Sequence, residues 1–71
     1  MRVVPKNYDG FACGQWSLPN GETFEGVMKY ERGQPALFHI PRDVRDLSRL
    51  YRRLARGEPA GELLIRTVAV H

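Results

Sequence analysis

One segment of the chain has the pattern of an amphipathic helix, and this segment constrains the fold more than any other. Over residues 41–56 the apolar side chains recur three or four positions apart, so at about 100° per residue they share one side of a helix. The apolar side consists of Val44, Leu47, Leu50, Tyr51 and Leu54. Pro41 suits the first helical position, where its missing N–H costs nothing, and Gly57 suits the position just after the last turn. A helix with one apolar side needs a sheet to pack on.

The opposite side of the same segment holds six arginines within an arc of roughly 100°. We refer to these residues as the arginine surface: Arg42, Arg45, Arg49, Arg52, Arg53 and Arg56. Against Asp43 and Asp46 they give the segment a net charge of 6 − 2 = +4, whereas the whole chain carries +3. Of the two acids, Asp46 has the spacing to pair with Arg42 and Arg49. The pattern indicates a docking surface for phosphates or an acidic protein patch, the alternative being a solvated helix side.

Pro19-Asn20-Gly21 lies between two stretches, 11–18 and 22–30, that read as the strands of a β-hairpin. A two-residue turn at Asn20-Gly21 and a three-residue loop are both compatible with these residues. The loop puts Trp16 opposite Phe24 and Ala12 opposite Met28, and so keeps the apolar residues on one face. We choose this register, with Pro19 second in a type I turn and Gly21 in the left-handed conformation.

The remaining segments complete an α+β fold, a small two-layer sandwich with the element order β-β-β-α-β in a single domain over 1–71. Residues 31–35 read as a connector, 36–40 as a third strand and 62–70 as a final strand in a central or well-covered position. Val3 and Val4 are a candidate edge strand. We expect the helix to cover the sheet face that carries Trp16, Phe24 and Met28. The outer face then carries Cys13, Gln15, Glu25 and Lys29.

The composition argues against several classes of protein. Cys13 is the single cysteine among 71 residues, so no internal disulfide forms, and no Cys/His cluster has zinc-ligand spacing. No catalytic signature surrounds Cys13, His39 or Asp9, so we expect no enzyme, no cofactor and no metal. The chain shows no signal-peptide pattern and no apolar run of about 18 residues, which predicts a cytoplasmic protein without a membrane span.

The segment 18–26, with its Pro-Asn-Gly turn followed by Phe24 and Gly26, resembles a single MORN-type hairpin. MORN proteins stack several such hairpins. The resemblance occurs once and covers about a third of the chain, so what it implies here is the chemistry of the hairpin.

A second resemblance, to small phage-encoded type I anti-CRISPR proteins, lies in the order of the elements and in the residues that begin and end them. It comprises Asn7-Tyr8-Asp9-Gly10-Phe11 before the strands, Ile40-Pro41 before the helix, Gly57-Glu58 after it, and His71 near the last strand. The resemblance implies an inhibitor of a CRISPR effector. Members of that family are acidic and compete with DNA, whereas this chain is basic, so its arginine surface would instead bind an acidic patch or a guide-RNA backbone.

These observations predict a small non-enzymatic binding protein, phage- or mobile-element-encoded and anti-CRISPR-like, that binds its target through the arginine surface. The target would be an acidic protein surface or a nucleoprotein complex such as a CRISPR effector. One alternative is a nucleic-acid-binding accessory protein that uses the same helix on phosphates. Another is a homo-oligomeric module in which a sheet edge pairs with a second copy.

Overall fold

The computed structural model describes residues 10–70 and confirms the α+β class. Its strands are β1 (Phe11–Ser17), β2 (Thr23–Glu31), β3 (Gln34–Pro41) and β4 (Leu64–Ala69), which form an antiparallel sheet in the order β1-β2-β3-β4. Between β3 and β4 lie a 3₁₀ turn (Val44–Asp46), the helix α1 (Leu47–Ala55) and a second 3₁₀ turn (Gly61–Leu63). The candidate strand at Val3 and Val4, the Asn7–Asp9 segment and His71 lie outside the described residues.

The first hairpin forms in the predicted register. Trp16 pairs with Phe24 and Ala12 pairs with Met28. The N–H of Gly21 donates to the carbonyl of Leu18 at 2.9 Å, and Gly21 has φ +91°, so Pro19 and Asn20 are the central residues of the turn. The local chemistry of Pro19-Asn20-Gly21 therefore sets the pairing of β1 and β2.

The connector predicted over 31–35 is instead a tight two-residue hairpin turn between β2 and β3. Glu31 pairs directly with Gln34, and the two residues between them have positive φ, +54° at Arg32 and +78° at Gly33. Two consecutive positive φ angles are typical of a type I′ turn, whose twist matches that of the flanking strands. Arginine is uncommon at positive φ, which explains why the sequence of residues 31–35 did not indicate a type I′ turn.

The helix begins later than predicted. Pro41 is the last residue of β3, and the predicted start at this residue is wrong because Arg42 lies in a bend and Asp43 has extended backbone angles. The Asp43 side chain accepts a hydrogen bond from the N–H of Arg45 and caps the 3₁₀ turn that leads into α1. The predicted end is confirmed. Gly57, at φ +75°, donates to the carbonyl of Leu54, and Glu58 donates to that of Arg53, which is the Schellman arrangement.

The helix packs on the sheet face opposite to the one that we predicted. We call the side that carries Ala12, Trp16, Phe24, Met28, Phe38, Ile40 and Val68 the tryptophan face, and the other side the helix face. On the helix face, Leu50 of α1 and Leu63 pack against Val27 of β2, and Phe11, Leu47, Tyr51, Leu54 and Leu64 surround them. The face predicted to be outward, that of Cys13, therefore lies towards the helix.

The tryptophan face is buried without α1 because side chains from all four strands pack together on it. Met28 and Phe38 have no exposed surface, and the ring of Trp16 on β1 lies 6.5 Å from that of Phe38 on β3. Residues 16–19, at and after the end of β1, and residues 68–70, at and after the end of β4, line the same open cavity of about 390 Å³, although these strands are at opposite sides of the sheet. The apolar side chains thus cover one another, and apolarity alone was a poor guide to the position of the helix.

β4 is an edge strand in the sheet that residues 10–70 form, so the predicted central position is wrong. Less exposed and more exposed residues do not alternate along β4, and Ile65 is 63% exposed. The apolar residues of segment 62–70 instead contact two different cores. Leu63 and Leu64 pack with the helix face, and Val68 and Val70 with the tryptophan face.

Candidate binding surface

The predicted arginine surface does not form one helical stripe. Arg42 lies on bent backbone before the 3₁₀ turn, where its N–H donates to the carbonyl of Leu63 at 2.7 Å. Arg45 lies within that turn, and Arg56 is the C-terminal cap of α1. The members that α1 itself presents are Arg49, Arg52 and Arg53.

Arg45 is folded back on the acid that caps its own turn. Its Nη2 lies 2.8 Å from Oδ2 of Asp43, and its Nε donates to the same carboxylate. The side-chain hydrogen bond and then the backbone hydrogen bond from Arg45 lower the pKa of Asp43 to about 2. The side chain of Arg45 is nevertheless 86% exposed. Water competes for such a pair, so a partner carboxylate could replace Asp43 at little cost.

Arg49 forms the pair that the helical spacing predicted. Its Nη1 lies 3.3 Å from Oδ1 of Asp46, one turn earlier. The predicted second contact of Asp46, with Arg42, is not formed. It fails because Arg42 precedes the helix and i, i+4 neighbours meet only within continuous helical backbone.

Arg53 helps to hold the chain that follows the helix. Its Nη1 donates to the carbonyl of Ala60 at 3.2 Å and lies 3.7 Å from Oε1 of Glu62. A backbone hydrogen bond and then the positive charge of Arg53 lower the pKa of Glu62. Gly61, at φ +57°, turns the chain beside this guanidinium. Among the three members of the arginine surface that form ion pairs within residues 10–70, the side chain of Arg53 is the least exposed, at 31%. We therefore assign Arg53 to stabilising the fold rather than to binding.

Three members of the arginine surface remain exposed with no carboxylate of residues 10–70 within 4.0 Å: Arg42, Arg52 and Arg56. Arg52 and Arg56 are four residues apart, so their side chains start about 6 Å from each other on one side of the helix end. Counted over residues 42–62, six arginines oppose Asp43, Asp46, Glu58 and Glu62, a net charge of 6 − 4 = +2. The surface is basic and mixed rather than uniformly positive.

The other residues that carry reactive groups do not assemble into a site. Cys13 and His39 flank Val27 across three neighbouring strands, about 10 Å apart. Nδ1 of His39 lies 3.0 Å from the hydroxyl of Thr67, whereas its Nε2 is buried without a hydrogen-bond partner. Burial and then the charge of Lys29 lower the pKa of His39. Asp9, which the sequence analysis considered with these two residues, lies outside the described residues.

Residues 10–70 hold neither a metal-ligand cluster nor a membrane-spanning helix. Their His, Cys, Asp and Glu side chains include no group of three or more that could hold a metal ion. None of their helices is long and apolar enough to cross a membrane.

Comparisons of this chain with protein-family models, with curated proteins and with solved structures find no match.

Proposed function

We propose that this chain is a small non-enzymatic binding protein that docks on an acidic protein surface through the exposed part of its arginine surface. The observation that carries the proposal is the exposure of Arg42, Arg52 and Arg56 without a carboxylate partner among the described residues. An unpaired guanidinium retains its charge and its fork of N–H donors, which bind a carboxylate through two parallel hydrogen bonds. Arg52 and Arg56 are spaced to bind two neighbouring carboxylates.

The acids within the surface favour a protein over a nucleic acid as the target. Asp43 and Asp46 lie beside Arg45 and Arg49, so a nucleic-acid backbone of uniform negative charge would meet carboxylates as well as arginines. A protein can place carboxylates opposite the arginines and donors opposite the aspartates. Like charges that face each other across an interface are costly, and such a mixed pattern therefore selects among partners.

The specific form that we propose is an inhibitor that binds a CRISPR effector one-to-one. It is supported by the resemblance in element order to small anti-CRISPR proteins and by the small size of the domain, 71 residues. Acidic members of that group would compete with DNA. A basic chain would instead contact an acidic patch on the effector or the backbone of its guide RNA.

The experiment has two arms at low and near-physiological salt. In one arm the protein is titrated into labelled duplex DNA and RNA and followed by fluorescence anisotropy. In the other it is passed over immobilised type I effector complexes on a biosensor. We expect saturable one-to-one binding to an effector and no comparable binding to the free nucleic acids.

A matched pair of double variants tests the surface itself. Arg52→Gln with Arg56→Gln lowers the net charge from +3 to +1, and so does Gln15→Glu with Gln34→Glu at exposed positions outside the arginine surface. The arginine variant should lose at least tenfold in affinity, since one charged hydrogen bond contributes about 1.5 kcal/mol or more. The glutamine variant should bind like the parent.

Two results would overturn this proposal. Equal binding by both double variants would show that Arg52 and Arg56 are not in the contact. Tight binding to free duplex DNA, with log affinity falling against log salt at a slope of about −2.7 for three arginines, would establish the nucleic-acid function instead.

A further inference from the structure

We infer that the chain self-associates through β4, which pairs antiparallel with β4 of a second copy about a two-fold axis at Thr67. β4 is an edge strand of the sheet formed by residues 10–70, and most of its residues are exposed, with Ile65 at 63%. Its side chains are rich in β-branched residues, and Arg66 is its one charge. An edge of this kind presents unpaired backbone groups to another strand.

The backbone hydrogen bonds identify which residues of β4 point outward. The N–H of Val70 donates to the carbonyl of Ala36 at 3.0 Å, and the same antiparallel register continues to Arg66 opposite Ile40. Because hydrogen-bonded and non-hydrogen-bonded pairs alternate, Val70, Val68 and Arg66 direct their backbone groups to β3. Thr67 and Ala69 therefore direct theirs away from the sheet, and β4 pairs with no strand other than β3 among residues 10–70.

The outward set allows a two-fold axis at Arg66, Thr67 or Val68, and the side chains favour the axis at Thr67. With the axis at Thr67, each Thr67 exchanges hydrogen bonds with Thr67 of the second copy, and Ile65 lies beside Ala69 of that copy. Arg66 then lies opposite Val68 rather than opposite the second Arg66, so no like charges face each other. An axis at Arg66 would use the same outward groups but would place two arginines opposite each other, and an axis at Val68 would pair only three residues of each β4. The sequence of β4 is thus complementary to itself in the register centred on Thr67.

The position of α1 favours β4 over the other edge. The helix contacts β1 and β2, and its arginines lie above that side of the sheet. Pairing two copies through β1 would bring two arginine surfaces together, and unpaired like charges at short range repel each other. Pairing through β4 places the helices at the two far sides of a continuous sheet. Both arginine surfaces stay accessible, so a dimer could bind a repeated target with increased avidity.

Sedimentation velocity of the full chain over about 1 µM to 1 mM tests this inference, since a contact of one short strand is small and should be weak. We expect a concentration-dependent shift from monomer to dimer. Ile65→Lys with Ala69→Lys should abolish the dimer, because the two introduced lysines lie opposite each other between copies. Ile65→Glu with Ala69→Glu should do the same. Ile65→Lys with Ala69→Glu should restore the dimer, because opposite charges then meet in the same register.

The variants with charges introduced at Ile65 and Ala69 also test the register. The two residues lie about 13 Å apart within one chain, too far for an internal pair, so rescue by opposite charges reports a contact between copies. Gln15→Lys on the β1 edge should leave the dimer intact, and circular dichroism checks that each variant folds. A monomer at every concentration, or loss of the dimer with Gln15→Lys, would overturn the inference. None of these changes touches the arginine surface, so target binding by the monomeric variants is measured independently.

Discussion

The two faces of the sheet are buried in different ways, and the difference shows what organises a domain of this size. On the tryptophan face, Met28 and Phe38 are fully buried by aromatic and aliphatic side chains from all four strands. On the helix face, Leu50 and Val27 are fully buried too, but polar groups such as His39 and Cys13 adjoin them. The first face is a self-contained apolar core, and the second is a thin layer that α1 completes. We expect the stability of the domain to rest chiefly on the first.

Phe38→Ala should give the largest loss, because it removes a fully buried ring at the centre of the tryptophan face. Truncations of this kind cost about 3–5 kcal/mol, comparable to the whole stability of a small domain, so the variant should be largely unfolded. Gly26 has no room for a side chain because a Cβ would lie 2.8 Å from Cζ of Phe38, so the ring and this glycine form one packed unit. Far-UV circular dichroism and urea unfolding measure the loss.

Leu50→Ala provides the comparison on the helix face and should cost less, about 2–3 kcal/mol, because a short helix of 9 residues can settle onto the cavity. Should Phe38→Ala be too unstable to measure, Phe38→Leu serves with Leu50→Val as the milder pair. A greater loss of unfolding free energy at Leu50 than at Phe38 would reverse our ranking of the two faces.

The polar content of the helix face predicts a pH dependence of intermediate size. Burial, followed by the charge of Lys29, lowers the pKa of His39 below its ordinary 6.5, so folding favours the neutral ring. The stability from this effect is complete above pH 6.5 and is lost as the pH falls from there towards the lowered pKa. Urea unfolding at pH 7.5 and pH 5.5 should show this decrease in the parent and a smaller one in His39→Gln. Equal decreases in both proteins would show that His39 is not the titrating group.

The described groups that adjoin His39 are few. Thr67 on β4 and the ring of Phe11 on β1 adjoin it, and neither carries a charge. Lys29 on β2, whose ammonium lies 5.0 Å from the centre of the Phe11 ring, is the charge that contributes to the lowered pKa of His39. Asp43, with its pKa of about 2, loses its stabilising contribution only as the pH falls from about 3.8 through 2, well below the range between pH 5.5 and pH 7.5.

The sequence predicted those parts of the molecule that local chemistry determines. Pro19-Asn20-Gly21 specifies its turn within three residues, and Gly57 ends α1 through hydrogen bonds to the preceding turn. It did not predict which face α1 covers, because the packing of the tryptophan face depends on side chains from all four strands together. In the candidate site, the Arg49–Asp46 pair follows from helical spacing. The Arg53–Glu62 pair does not, because the second 3₁₀ turn must first bring Glu62 back to the helix.

Val44→Ala should have the smallest effect on the free energy of unfolding, and it tests how far the apolar layer of the helix face extends. The helical pattern placed Val44 on the apolar side, but it lies in the 3₁₀ turn, where the change in residues per turn rotates it out, and it is 53% exposed. Removing its two methyl groups should change the free energy of unfolding by no more than about 0.5 kcal/mol, as for other exposed positions. Urea unfolding of Val44→Ala beside Leu50→Ala measures the contrast directly. A loss at Val44 as large as that at Leu50 would mean that the apolar layer under α1 extends into the preceding turn, and that the helix face is a larger core than its burial indicates.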